Sequence, residues 1–154
     1  MRNRPRPTLV MIGMLAASIP LLSACAGLMS GTTALQGEWV LASGSDTQGA
    51  FIDSAQPVTL TFDGDSVSGQ APCNAYSGSV ARGPGAGSTG PLEIGGITRT
   101  EMGCAEQEQN ELEGRYFAAL EAADSVNVSA DGEILELTGD GVFVRFERSE
   151  SREG

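Results

Sequence analysis

Apolar and polar residues alternate with period two over several short stretches of this chain, and most of these stretches end on a turn. Val58-Thr59-Leu60-Thr61-Phe62 puts three apolar side chains on one face, the pattern of a half-buried strand. Asp63-Gly64 follows directly, a strong hairpin signal, and Ser66-Val67-Ser68-Gly69 begins the return strand. Glu38 to Ala42 reads as a first strand, with the sole tryptophan, Trp39, near its start, and Gly44 to Ala50 reads as turn-rich. Short strands are expected at Ser79-Val80 and at Leu92 to Ile94 with Ile97, and 98–104 reads as a connecting segment. Val126 to Val128, Ile134 to Thr138 and Val142 to Phe146 close the series, with Asp131-Gly132 and Gly139-Asp140-Gly141 as turns. Gly83 to Gly90 is glycine-rich and is expected to form a surface loop.

One stretch changes period. Across about Glu106 to Ala123, Leu112, Tyr116, Ala119/Leu120 and Ala123 recur at helical spacing while Glu and Gln fill the other face. Glu106, Glu108 and Glu111 crowd the first turns, where the positive end of the helix dipole favours acids. These elements predict an α+β domain: a small, mostly antiparallel sheet or partial barrel, with one helix packed over an opening or face.

The N-terminus departs from this pattern. Arg2, Arg4 and Arg6 precede an uncharged apolar stretch from Leu9 to Leu22, followed by Ser23, Ala24 and Cys25. The stretch is too short for a span of about 20 residues and has the three-part form of a cleaved signal. Leu22-Ser23-Ala24-Cys25 fits a bacterial lipobox, so residues 1–24 read as a lipoprotein signal peptide and Cys25 as the lipid attachment site. Lipid there would hold the protein on a membrane of the cell envelope, since two or more acyl chains anchor stably. The expected organisation is a tether at 25–33, a folded domain at 34–148 and a polar tail at 149–154.

Removing residues 1–24 takes three arginines and no acid. The 6 arginines left face 20 acidic residues, a net charge of −14, without lysine or histidine. Such a surface repels nucleic acid and favours, at most, cationic partners. The missing residue types exclude Ser-His-Asp and Cys-His machinery, histidine metal sites and a lysine nucleophile. With Cys25 assigned to lipid, Cys73 and Cys104 remain; in an oxidising compartment such a pair usually forms a disulfide. Two free buried thiols or a redox pair are the other readings. Neither a cofactor nor a metal is expected: Asp63-Gly64-Asp65 lacks the spaced ligands of a calcium loop, and no Gly-Lys-Ser/Thr follows the glycines of 83–87. Glu93 and Glu101 are the one carboxylate pair considered for acid–base work, and a solvated anionic face accounts for them more simply.

Several segments together resemble the META domain (HslJ-like) family. They are Leu35-Gln36-Gly37-Glu38-Trp39-Val40-Leu41, Val58 to Phe62 with Val67-Ser68-Gly69, and Pro72-Cys73-Asn74-Ala75-Tyr76-Ser77-Gly78. Ile94-Gly95-Gly96-Ile97-Thr98-Arg99-Thr100-Glu101-Met102-Gly103-Cys104 follows, then the helix and Leu135-Glu136-Leu137. The resemblance implies a mostly antiparallel β domain carrying a helix, common in bacterial envelope proteins and without established enzymatic activity. Members are linked to stress response and antibiotic tolerance; none of this names a ligand. Asn74, beside a cysteine in a bend, is expected to satisfy backbone groups, and Tyr76 to pack with its hydroxyl at an edge. Both are also kept as possible contacts for an unknown protein or small-molecule partner. The expected function is a non-enzymatic envelope module, with inhibition of a secreted cationic hydrolase of the lysozyme type as the alternative.

Overall fold

The structure, a computed structural model, describes residues 34–84 and 86–149. The signal segment, Cys25, the tether up to residue 33, Gly85 and residues 150–154 lie outside the described residues. Nine strands and one long helix follow one another as β1 (Gly37–Asp46), β2 (Gly49–Ala50), β3 (Thr59–Asp63), β4 (Ser66–Gln70), β5 (Ala75–Arg82), β6 (Thr89–Arg99), α1 (Gln107–Ala122), β7 (Ala123–Val128), β8 (Ile134–Gly139) and β9 (Val142–Arg148). Period-two alternation decides which side chains turn inward. Leu60 and Phe62 of β3, Leu135 and Leu137 of β8, and Val144 and Phe146 of β9 are all buried.

Each strand pairs antiparallel with its sequence neighbours, except that β1 skips the two-residue β2 to reach β3. β9 returns to pair with β1 from Trp39↔Arg148 to Ser45↔Phe143. That last pairing closes the sheet into an eight-stranded barrel, with β2 as a short extension at its rim. The expected partial barrel is therefore closed, through a pairing of the domain's first and last strands that local patterning does not reveal. Closure leaves those two strands without a free edge.

The two ends of the barrel differ. At one end, the foot, lie the start of β1, the β3–β4 and β7–β8 turns and the end of β9. Arg148 latches this end, donating to the carbonyls of Ala34 (2.9 Å), Gln36 (3.1 Å) and Gly132 (2.6 Å). Its guanidinium also lies 4.1 Å from the Trp39 ring centroid. At the other end, the crown, β6 and β7 diverge. Only Thr89, Gly90 and Pro91 pair with β7. Helix α1 packs beside β6, β8 and β9 and drives Leu112, Tyr116, Phe117, Ala119 and Leu120 into the core. The helix seals that mouth. Trp39, Phe146 and Tyr116 are fully buried and fill the interior. Burial of each such side chain favours folding by about 1.5–3 kcal/mol.

Several strands run further than their patterns suggest; β7 begins at Ala123 rather than Val126, and β9 continues to Arg148 rather than ending at Phe146. β1 continues through Ser43–Asp46 beyond a bulge between Leu41 and Ser43, taking in the first residues of the Gly44 to Ala50 stretch expected to be turn-rich. Gly44 there leaves the space into which the Phe51 ring packs. β5 covers Ala75–Arg82 rather than Ser79-Val80 alone, and β6 takes in Thr89, Gly90, Thr98 and Arg99, which were expected in loop or connection.

Candidate functional site

A connected polar cluster lies at the crown, where α1 meets the β4–β5 connection and segment 100–104. Glu113 sits on the buried side of α1, with only 5 % of its surface exposed. Its Oε2 accepts hydrogen bonds from the backbone amides of Cys73 (2.9 Å) and Asn74 (3.0 Å), and its Oε1 accepts one from Asn74 Nδ2 (2.6 Å). Asn74 Oδ1 in turn accepts from Thr100 Oγ1 (2.8 Å) and from the Met102 amide (2.7 Å). Asn110, one turn earlier on the helix, accepts from the Cys104 amide (3.1 Å) and donates to its carbonyl (3.4 Å). Cys73 and Cys104 are joined as a disulfide, with Cα atoms 5.3 Å apart. Three chain segments thus meet on two helix side chains and one covalent bond. A buried carboxylate with three donors is satisfied, so Glu113 works as a fastener.

Beside this node a polar pair crosses the core. The Tyr76 hydroxyl donates to the Thr59 carbonyl (2.8 Å) and lies 2.8 Å from the Tyr116 hydroxyl. Burial raises the pKa of both phenols above the ordinary 10.0. Tyr76 also packs edge-on against Phe117, with ring centroids 5.4 Å apart. It lies in the core rather than with its hydroxyl at an edge.

Outside the barrel, the exposed face of α1 and the tip formed by β1 and β2 enclose a cleft of about 800 Å³. Asp46, Ile52, Glu108, Glu111, Ala118 and Val142 are among its lining residues. Among the described residues Arg115 is the only cation lining it, and it is already committed. It holds Asp46 through two hydrogen bonds of 2.8 and 2.7 Å and donates to the Gly49 carbonyl. Its guanidinium lies 4.9 Å from the Phe51 ring centroid. These hydrogen bonds lower the Asp46 pKa and raise that of Arg115. The other charged side chains lining it among the described residues, Glu108, Glu111 and Asp140, are acidic, and Ile52, 45 % exposed, supplies apolar surface beside them.

Of the residues singled out by sequence, Cys73, Cys104, Asn74 and Tyr76 come together at the crown. Cys25 lies outside the described residues. Asn74 and Tyr76 direct their polar atoms at protein partners, so the geometry gives both a structural role. Glu93 and Glu101 do not meet: Glu93 pairs across from Ala81 within β6, and Glu101 lies beyond its far end. At about 3.3 Å per residue that is roughly 25 Å of chain. Glu113 and Gln109 escaped the sequence reading, which placed them among the solvated acids and amides of the helix. Their signal was position: both stand three or four residues from Leu112, Tyr116 or Phe117, on the buried stripe. Among the described residues one group of potential metal-ligating atoms lies within 4.8 Å, formed by Cys73, Cys104 and Glu113.

Comparison with known proteins agrees with this architecture. A solved NMR structure of a protein from Burkholderia xenovorans is 26 % identical, with a TM-score of 0.62, and the match covers 91 % of this chain and 97 % of that one. A second NMR structure, 20 % identical with a TM-score of 0.54, covers 79 % of this chain and 96 % of its own and shares the fold. No curated protein matches the chain. The family model of the META domain matches residues 32–151, the barrel together with its helix. The chain belongs to the META domain family.

Proposed function

We propose that this protein is a non-enzymatic lipoprotein of the cell envelope, a binding or structural module that supports tolerance of envelope stress and of antibiotics. The observation carrying this reading is the polarity of the barrel. Ala34 enters at the foot, pinned there by Arg148, whereas the helix and the acid-rimmed cleft occupy the crown. Eight residues, 26–33, join Ala34 to Cys25 and span at most about 28 Å when extended. Lipid on Cys25 would therefore hold the foot near the bilayer and turn the crown outward. The filled interior leaves the outer surface for partner binding, and the composition without histidine or lysine argues against common catalytic machinery. The test is a gene deletion complemented by either wild type or Cys25→Ser. Lost tolerance to envelope stress and hydrophobic antibiotics, restored by wild type alone, supports the reading; unchanged tolerance in the deletion strain overturns it.

The cleft also favours one narrower alternative, inhibition of a secreted cationic hydrolase of the lysozyme type. Besides the Arg115–Asp46 pair, its charged lining residues among the described ones are acidic, and such a field speeds capture of a basic partner in a salt-dependent way. Retention of cationic hydrolases that fades with added salt, together with loss of their activity, supports the alternative. Absence of retention at low salt ends it.

A further inference from the structure

We propose that reduction of the Cys73–Cys104 bond opens a metal site in which both thiolates and the Glu113 carboxylate hold one thiophilic divalent cation of the zinc type. The ligand atoms already lie within 4.8 Å of one another. Zinc–sulfur and zinc–oxygen bonds of about 2.3 and 2.0 Å place tetrahedral ligand atoms roughly 3.5–4 Å apart. Small side-chain rotations suffice to reach that arrangement.

What makes the site more than a coincidence of the disulfide is that neither cysteine depends on the sulfur–sulfur bond for its backbone position. The Cys73 amide is held by Glu113 Oε2, and the amide and carbonyl of Cys104 are held by Asn110. Segment 100–102 is tied to Asn74, which is itself fastened to Glu113. Helix α1 therefore presents both cysteines side by side whether or not they are bonded. Glu113 has capacity to spare. Its Oε2 serves two amides, but Oε1 accepts from Asn74 Nδ2 alone, and a carboxylate oxygen offers two lone pairs.

Charge points the same way. Opening the bond sets two ionisable thiols beside a buried carboxylate whose hydrogen-bond partners are all neutral. A divalent cation relieves that repulsion and favours both thiolates. The cysteines are half-buried, so a reductant and an ion can reach them. Three protein ligands leave a fourth position for water. The chemistry balances with a dithiol reductant: exchange breaks the Cys73–Cys104 bond, two electrons pass to it, and the reductant leaves as its own disulfide. The two new thiols then release their protons to solvent as the ion binds.

The test uses the mature chain, reduced with a phosphine, freed of reductant under nitrogen and titrated with Zn²⁺ against a chromophoric chelator. Co²⁺ serves as the spectroscopic substitute. The expected results are one ion bound per reduced chain, none in the oxidised chain, and a sulfur-to-cobalt charge-transfer band. Cys104→Ser, which leaves every Glu113 hydrogen bond in place, should abolish binding. Glu113→Gln should weaken it about tenfold or more, since even residues behind a metal's ligands carry effects of that size. Near-ultraviolet circular dichroism of Trp39 follows the fold throughout. A folded reduced chain that binds no Zn²⁺, equal affinity in Glu113→Gln, or a reduced chain that unfolds and is not rescued by Zn²⁺ would each overturn the proposal.

Discussion

Replacing Glu113 by alanine removes the acceptor for two backbone amides and one side-chain amide at once. Hydrogen bonds to a charged group contribute about 1.5–3 kcal/mol each, and a buried donor left without a partner costs about 1–3 kcal/mol. Water can reach the half-buried Cys73 amide, which reduces the cost there, whereas Asn74 is only 4 % exposed and cannot be rescued so easily. The disulfide still ties Cys73 to Cys104, so the loop stays near α1 without its fastener. The expected loss is about 3–5 kcal/mol, a large part of the 5–15 kcal/mol typical of a domain. For a domain of this size that corresponds to a fall in melting temperature of roughly 10–20 °C. Glu113→Gln keeps one acceptor oxygen but turns an amide group toward other donors, so it should lose about half as much. Urea denaturation followed by Trp39 fluorescence measures the global effect, and hydrogen exchange at the Cys73 and Asn74 amides measures the local one. An alanine variant with an unchanged midpoint and full protection of both amides would refute the assignment of Glu113 as the fastener.

The buried phenols of Tyr76 and Tyr116 carry a raised pKa, so their contribution to stability is complete below the unfolded-chain value near 10.0 and is lost as pH climbs above it. The urea midpoint should therefore fall in alkali, and Tyr116→Phe should make that fall shallower; an equally steep decline in the variant contradicts the pairing. Gly69→Ala should cost about 1–3 kcal/mol by overpacking, because its Cβ would collide with the Thr59 carbonyl oxygen that anchors both tyrosines. Gly95→Ala, whose Cβ meets open space, is the control. Thermal melts showing equal losses for the two alanine variants would contradict the stated packing.

The local elements were legible where one face carries apolar side chains without interruption. Leu60 and Phe62, Leu135 and Leu137, and the seam of α1 announced themselves, and the helix observed at Gln107–Ala122 lies within one residue of the stretch expected. Glycine hid the rest. Gly95 and Gly96 interrupt the alternation of β6, and Gly78 does the same in β5, so both strands looked shorter than they are. Ser43-Gly44-Ser45-Asp46 has turn composition, yet pairing with β9 overrides it. Barrel closure joins residues about 100 positions apart, and no window of local periodicity contains that information. At the crown the disulfide pair could be read because cysteines are few. The carboxylate fastening it was harder to read, because Glu113 stands among many acids and only its place on the apolar stripe of α1 sets it apart.

The cation site proposed for the reduced protein rests on the same fastening, for Glu113 and Asn110 keep the cysteines adjacent once their bond is opened. Its outcome is independent of the envelope role, which rests on the N-terminal segment and the orientation of the barrel. A chain that binds Zn²⁺ on reduction but is never lipidated would retain the first and lose the second.

The envelope reading meets its most direct test in intact mass spectrometry of the protein extracted from its native membranes. The mass should correspond to a chain beginning at Cys25 and carrying a diacylglyceryl group, with acyl chains released on ester hydrolysis. A polypeptide that still begins at Met1, or one starting at Cys25 without bound acyl chains, would contradict it.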